Sequence, residues 1–126
     1  MFKTLLFIAA GGALGAMMRF LSQATVYELV GRSFPFGTLF VNVSGSFLMG
    51  LLSIFLVEKF NLSAEWHLAI LVGVLGSFTT FSTFSIETLV LFEQGDMLKA
   101  MTNILLSVVL CVSAVWAGAY LAKQLV

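Results

Sequence analysis

The chain has 126 residues, 60% of them apolar and only 10% charged, with a formal net charge of zero. A soluble domain would carry roughly 25% charged residues, and a mean hydropathy of +1.10 places this one in a membrane. A lone cysteine, Cys111, excludes an internal disulfide, and the alternating segments of about 10 residues that build a membrane barrel are missing.

Charge is absent from residues 33–57, 67–86 and 100–122, and from residues 4–18 ahead of Arg19. About 20 apolar residues cross a bilayer as a helix. The chain therefore reads as an all-α membrane protein, one domain over 1–126 with four transmembrane spans near 3–29, 34–57, 65–92 and 97–124. The connections are short, so consecutive spans run antiparallel.

The first span opens like a signal peptide, with Lys3 before an apolar stretch. The apolar region continues to Arg19, however, and is read as a helix. Gly11/Gly15 and Gly12/Ala16 are small pairs at helical spacing, which let a neighbouring backbone approach closely. Arg19 lies well inside this span, where it must pair or snorkel. Glu87 is a candidate partner.

In the second span Thr38, Asn42 and Ser46 follow at i, i+4 and i+8 and share one face, with Gly45 beside them. An Asn in hydrocarbon is costly unless hydrogen-bonded. It serves either an interhelical bond worth roughly 1 kcal/mol or a donor pointing into an ion path, and spacing alone leaves both open. Glu65, Trp66 and His67 then form an interfacial belt. A single His without a second ligand is no metal site.

The third span carries the wrong chemistry for lipid. Five of the seven residues 79–85 bear hydroxyls, and Phe78, Phe81 and Phe84 recur at every third position. Hydroxyls compete for backbone hydrogen bonds, β-branched and aromatic residues are modest helix formers, and Gly73 and Gly76 add freedom. A helix break is predicted near 76–80. Broken helices at membrane depth expose carbonyl oxygens that suit a cation such as Na⁺, and they survive only when buried in protein. Spacing makes Phe81 and Phe84 neighbours, which is ordinary packing. A ring edge is also weakly positive and can line a path for a small anion without trapping it. In the fourth span Ser107 and Ser113 can each bond a backbone carbonyl, and Cys111 reads as a small apolar residue.

The positive-inside rule separates Lys3, Lys59 and Lys123 on one side from Arg32 and Lys99 on the other, with Arg19 counting weakly for the second side. So even a tally permits insertion in both directions and points toward an antiparallel homodimer. Two rival functions lack support. A small dual-topology multidrug exporter needs a carboxylate deep in the membrane, and Glu87 comes late in its span. A haem-bearing anchor needs paired intramembrane His residues, and His67 is alone. No nucleophile–base set marks an enzyme.

Three motifs carry a resemblance: Gly12-x-x-Gly15-Ala-x-x-Arg19, Gly37-Thr-Leu-x-Val-Asn42, and the run from Gly73 through Gly76, Thr79, Thr80, Phe81, Ser82, Thr83, Phe84 and Ser85 to Glu87. Together they resemble the Fluc (CrcB-like) family of fluoride channels. The resemblance implies an antiparallel homodimer in the inner cell membrane. It would pass fluoride passively out of the cytoplasm through two pores, with lipid and a second copy as partners and no nucleic acid. Phe81, Phe84 and Asn42 would line the pathway, with Thr38, Ser82, Thr83 and Ser107 as its polar track. Arg19 and Glu87 would sit near the vestibules. The backbone carbonyls of Gly76 and Thr79 would hold a central Na⁺. Fluoride itself comes from the resemblance; composition does not separate it from chloride.

Overall fold

The computed structural model describes residues 1–60 and 62–126, and the described residues that form regular structure are all helical. Helix α1 spans Phe2–Val30 and α2 spans Phe36–Glu58. Helix α3, residues 64–78, runs as Ala64–His67, a wide π-helical stretch Leu68–Leu75, and a last turn Gly76–Phe78. Helix α4 spans Phe81–Glu93 and α5 spans Met97–Leu125. Taken with the break between them, α3 and α4 form the third span, so four helices are long and apolar enough to cross a membrane.

Two tight connections depend on glycine. Gly31 ends α1 at φ 84°, its N–H on the Tyr27 carbonyl at 3.0 Å. Gly95 ends α4 at φ 79°. There Gly95 N–H reaches the Phe92 carbonyl at 3.0 Å and Asp96 N–H reaches that of Leu91 at 2.9 Å, a Schellman turn that needs a left-handed residue. Asp96 then precedes α5 and pairs with Lys99 at 3.0 Å.

The helices meet through small residues. The most extensive packing is α2 on α5, where a Cβ on Gly50 would strike the Val115 carbonyl and one on Gly118 the Phe47 carbonyl. On the other side, α1 lies on α3. A Cβ on Gly11 or Gly15 would strike the carbonyls of Ala69 and Val74, and one on Gly73 would come within 2.8 Å of the Ile8 carbonyl. Glycines at both crossings bring backbones together where lipid offers no hydrophobic push. The predicted small pair in the first span thus meets α3. The core is correspondingly thin. Only 11% to 33% of each span's most apolar stretch is buried inside the chain, leaving the remainder for lipid or another protein to cover.

Candidate functional site

Thr79 and Thr80 adopt extended backbone, with φ/ψ of −86°/160° and −155°/116°, a conformation that suits β-branched residues. Helical geometry stops at Phe78 and resumes at Phe81, inside the predicted window of 76–80. Thr79 turns back on the last turn of α3, its N–H and Oγ1 donating to the Leu75 carbonyl at 3.1 and 3.0 Å. Thr80 caps α4, its Oγ1 accepting from Thr83 N–H at 3.2 Å and donating to Thr83 Oγ1 at 3.0 Å.

The break is held from α2. Asn42 Oδ1 accepts the Thr80 N–H at 2.7 Å, and Asn42 Nδ2 donates to the Thr80 carbonyl at 2.9 Å. One side chain thus satisfies both polar groups of a buried residue that has left the helical ladder. Gly45, one turn further along α2, makes room: a Cβ there would strike the Thr79 methyl and come within 3.1 Å of the Phe78 ring.

A second consequence concerns the carbonyls. In a continuous helix Thr80 N–H would close on the Gly76 carbonyl and Thr83 N–H on that of Thr79. Here these donors go to Asn42 Oδ1 and Thr80 Oγ1. The carbonyls of Gly76 and Thr79 are released from their i→i+4 partners, and Gly76 is exposed on the surface of the chain.

An open groove of about 430 Å³ runs past the break. Its wall brings together Asn42, Thr79, Phe81, Phe84 and Ser107 from the predicted set, with Ser46, Thr80 and Cys111 beside them, and no lining residue is charged. Phe84 is 9% exposed while Phe81 is 78% exposed, and their rings lie 5.3 Å apart at 50°. One ring is therefore fixed in the chain and the other projects from it.

The remaining predicted residues lie off this groove. Thr38 is buried on α2 and accepts from Gln23 Nε2 at 3.1 Å. Ser82 Oγ and Thr83 Oγ1 cluster around Thr80 Oγ1 at 3.4 and 3.0 Å. Glu87 lines a second groove of about 300 Å³ with Tyr27, Arg32 and Gln94. The candidate Arg19–Glu87 pair does not form. Glu87 Oε1 accepts from the Tyr27 hydroxyl at 3.0 Å, because Tyr27 lies further along α1 toward the end where α4 carries Glu87. Arg19 is half-buried and has no carboxylate within ion-pair distance among the described residues. Arg32 covers the Tyr27 ring at 5.0 Å. At the far end of the bundle Trp66 packs edge-on against Phe7 at 5.0 Å, and Lys3 reaches Glu65 at 3.8 Å.

Sequence reasoning missed three groups. Thr80 was legible as part of the hydroxyl run but not as the residue Asn42 grips. Cys111 faces the groove. Asn103, 2% exposed on α5, donates to Thr88 Oγ1 at 2.9 Å. Its spacing of four residues from Ser107 was the available signal.

A family model described as CrcB-like protein, Camphor Resistance (CrcB), matches residues 6–119. The chain is 61% identical over 118 residues to a protein of Methylococcus capsulatus named fluoride-specific ion channel FluC, covering 94% of this chain and 52% of that one. It thus spans about half the length of that relative. A protein of the same name from Shewanella amazonensis is 50% identical over 116 residues, 92% of this chain and 93% of its own. A third, from Geobacter sulfurreducens, is 48% identical over 122 residues, with 97% and 98% covered.

Proposed function

The chain belongs to the CrcB-like family, and from that premise we propose that it is a passive, fluoride-selective ion channel, not an enzyme, that lets F⁻ leave the cytoplasm down its gradient. The name carried by its relatives, fluoride-specific ion channel FluC, supplies the ion. The observation that supports it in this chain is the uncharged groove at the helix break.

A small anion shedding water needs donors that replace its hydration without holding it. Hydroxyls of Ser46 and Ser107, the amide of Asn42 and the rims of Phe81 and Phe84 offer that along one wall. No Lys or Arg lines the groove, so no full positive charge would trap the ion. The other polar residues carry the path onward in this reading. Ser82 and Thr83 extend it along α4 toward Glu87, Thr38 supports it from behind, and Arg19 sits near a vestibule.

The groove is open on one side, and a projecting Phe81 needs a facing wall. A second copy in the opposite orientation would close it. The two-fold axis would then give two equivalent pores. The chain's ends are consistent with this. Lys59 Nζ reaches the Leu125 carbonyl at 3.3 Å, which puts Lys59 and Lys123 at one end, while Arg32 in the α1–α2 connection and Lys99 in the first turn of α5 lie at the other. The released carbonyls of Gly76 and Thr79 fit Na⁺, a hard cation that takes main-chain oxygens. One protomer supplies two and its partner would supply two more, so the ion would serve as a structural tie between copies. The multidrug-exporter alternative is not favoured, since the relatives are named as fluoride channels.

Reconstituted in liposomes, the protein should release loaded fluoride and retain chloride. Equal release of both ions, or of neither, would sink the reading. Reporter fusions at the C-terminus should give signal from both sides of the membrane, and a single clean orientation would remove the antiparallel dimer.

A further inference from the structure

Phe84 can shape a pathway only as well as the chain holds it in place. Its carbonyl accepts from the Thr88 hydroxyl at 2.7 Å, and that hydroxyl accepts in turn from Asn103 Nδ2 at 2.9 Å. The relay is dry: Thr88 is 6% exposed and Asn103 2%. Asn103 belongs to α5, one helical turn before Ser107, which lines the groove together with Phe84. The relay therefore ties the first turns of α4 to the helix that carries Ser107. Packing of α4 on α5 is otherwise sparse beside that of α2 on α5, so few other contacts fix this spacing.

We propose that Asn103 and Thr88 act as a positioning clamp that sets the gap between Phe84 and Ser107, and with it the discrimination between fluoride and larger anions. Neither residue lines the groove; both act through Phe84. The inference rests on the channel reading above. A gap set by packing alone would tolerate loss of the relay, whereas a gap set by the relay widens without it and admits the larger ion.

The test compares fluoride and chloride efflux from liposomes, per unit of protein with unchanged elution in detergent. Thr88→Val alone strands a buried Asn103 amide and is a poor probe. The double variant Asn103→Leu/Thr88→Val removes both polar partners together, which leaves no orphaned group and largely spares stability. It should lower the fluoride-to-chloride flux ratio about fivefold, the size set by one neutral hydrogen bond. Asn103→Leu alone should do the same. Thr88→Ser keeps the hydroxyl and should keep the ratio. A wild-type ratio in the double variant, or a ratio lost in Thr88→Ser, would overturn the clamp while the channel stood. Wild-type liposomes that held their fluoride would overturn both.

Discussion

Replacing Phe81 or Phe84 with Ile should cut fluoride flux about 100-fold, equivalent to ~2.7 kcal/mol on the barrier, while the protein still folds. Ile keeps apolar bulk and deletes the weakly positive rim. The two positions separate the explanations because their burial differs. Phe84 is 9% exposed, so Phe84→Ile leaves imperfect packing and should cost about 1–3 kcal/mol of stability. Phe81 is 78% exposed, so within the chain it has little packing to lose. A flux loss in Phe81→Ile cannot then be charged to the stability of the single chain. Fluoride efflux normalised to folded protein is the measurement. Near-wild-type flux in both variants would reduce the rings to packing and leave the path to Asn42 and the hydroxyls.

What could be read from the sequence follows the range of each interaction. The spans were legible because dissolving in hydrocarbon is a local property, written as uncharged runs. The break was legible because competition for backbone bonds is also local, and the density of Thr and Ser from 79 to 85 announces it. What holds the break was not. Asn42 and Thr80 are 38 residues apart, and spacing along α2 could say only that Asn42 shares a face with Thr38 and Ser46. In the structure these residues separate: Ser46 faces the groove, Asn42 grips the break from its wall, and Thr38 turns inward to Gln23. Glu87 repeats the lesson. Charge alone matched it with Arg19, whereas helix register gave it Tyr27, a residue whose hydroxyl carries no charge to betray it. Asn103 fell in an uncharged run and was passed over, though an amide in hydrocarbon always asks for a partner.

Asn42 should be the least replaceable polar residue in the chain. Asn42→Ala strands the N–H and the carbonyl of Thr80 together, at about 1–3 kcal/mol each if both stay buried and unpaired. The chain has one inexpensive escape, since Thr80 N–H can return to the Gly76 carbonyl as continuous helix would place it. That escape consumes the very oxygen proposed to hold Na⁺ and swings Phe81 out of register with Phe84. Fluoride flux should therefore fall at least about 100-fold. Na⁺ should also cease to protect the proposed dimer against thermal dissociation relative to a bulky organic cation, a protection expected in the wild type. Asn42→Asp sharpens the argument. It keeps the acceptor for Thr80 N–H at Oδ1 but turns a second acceptor toward the Thr80 carbonyl, where Nδ2 now donates at 2.9 Å. When ionised, it also puts negative charge on the wall of the proposed anion path. It should abolish flux even where the fold survives. If Asn42→Ala kept both its flux and its Na⁺ protection, the amide would be a dispensable packing contact, and something other than α2 would have to hold the break open.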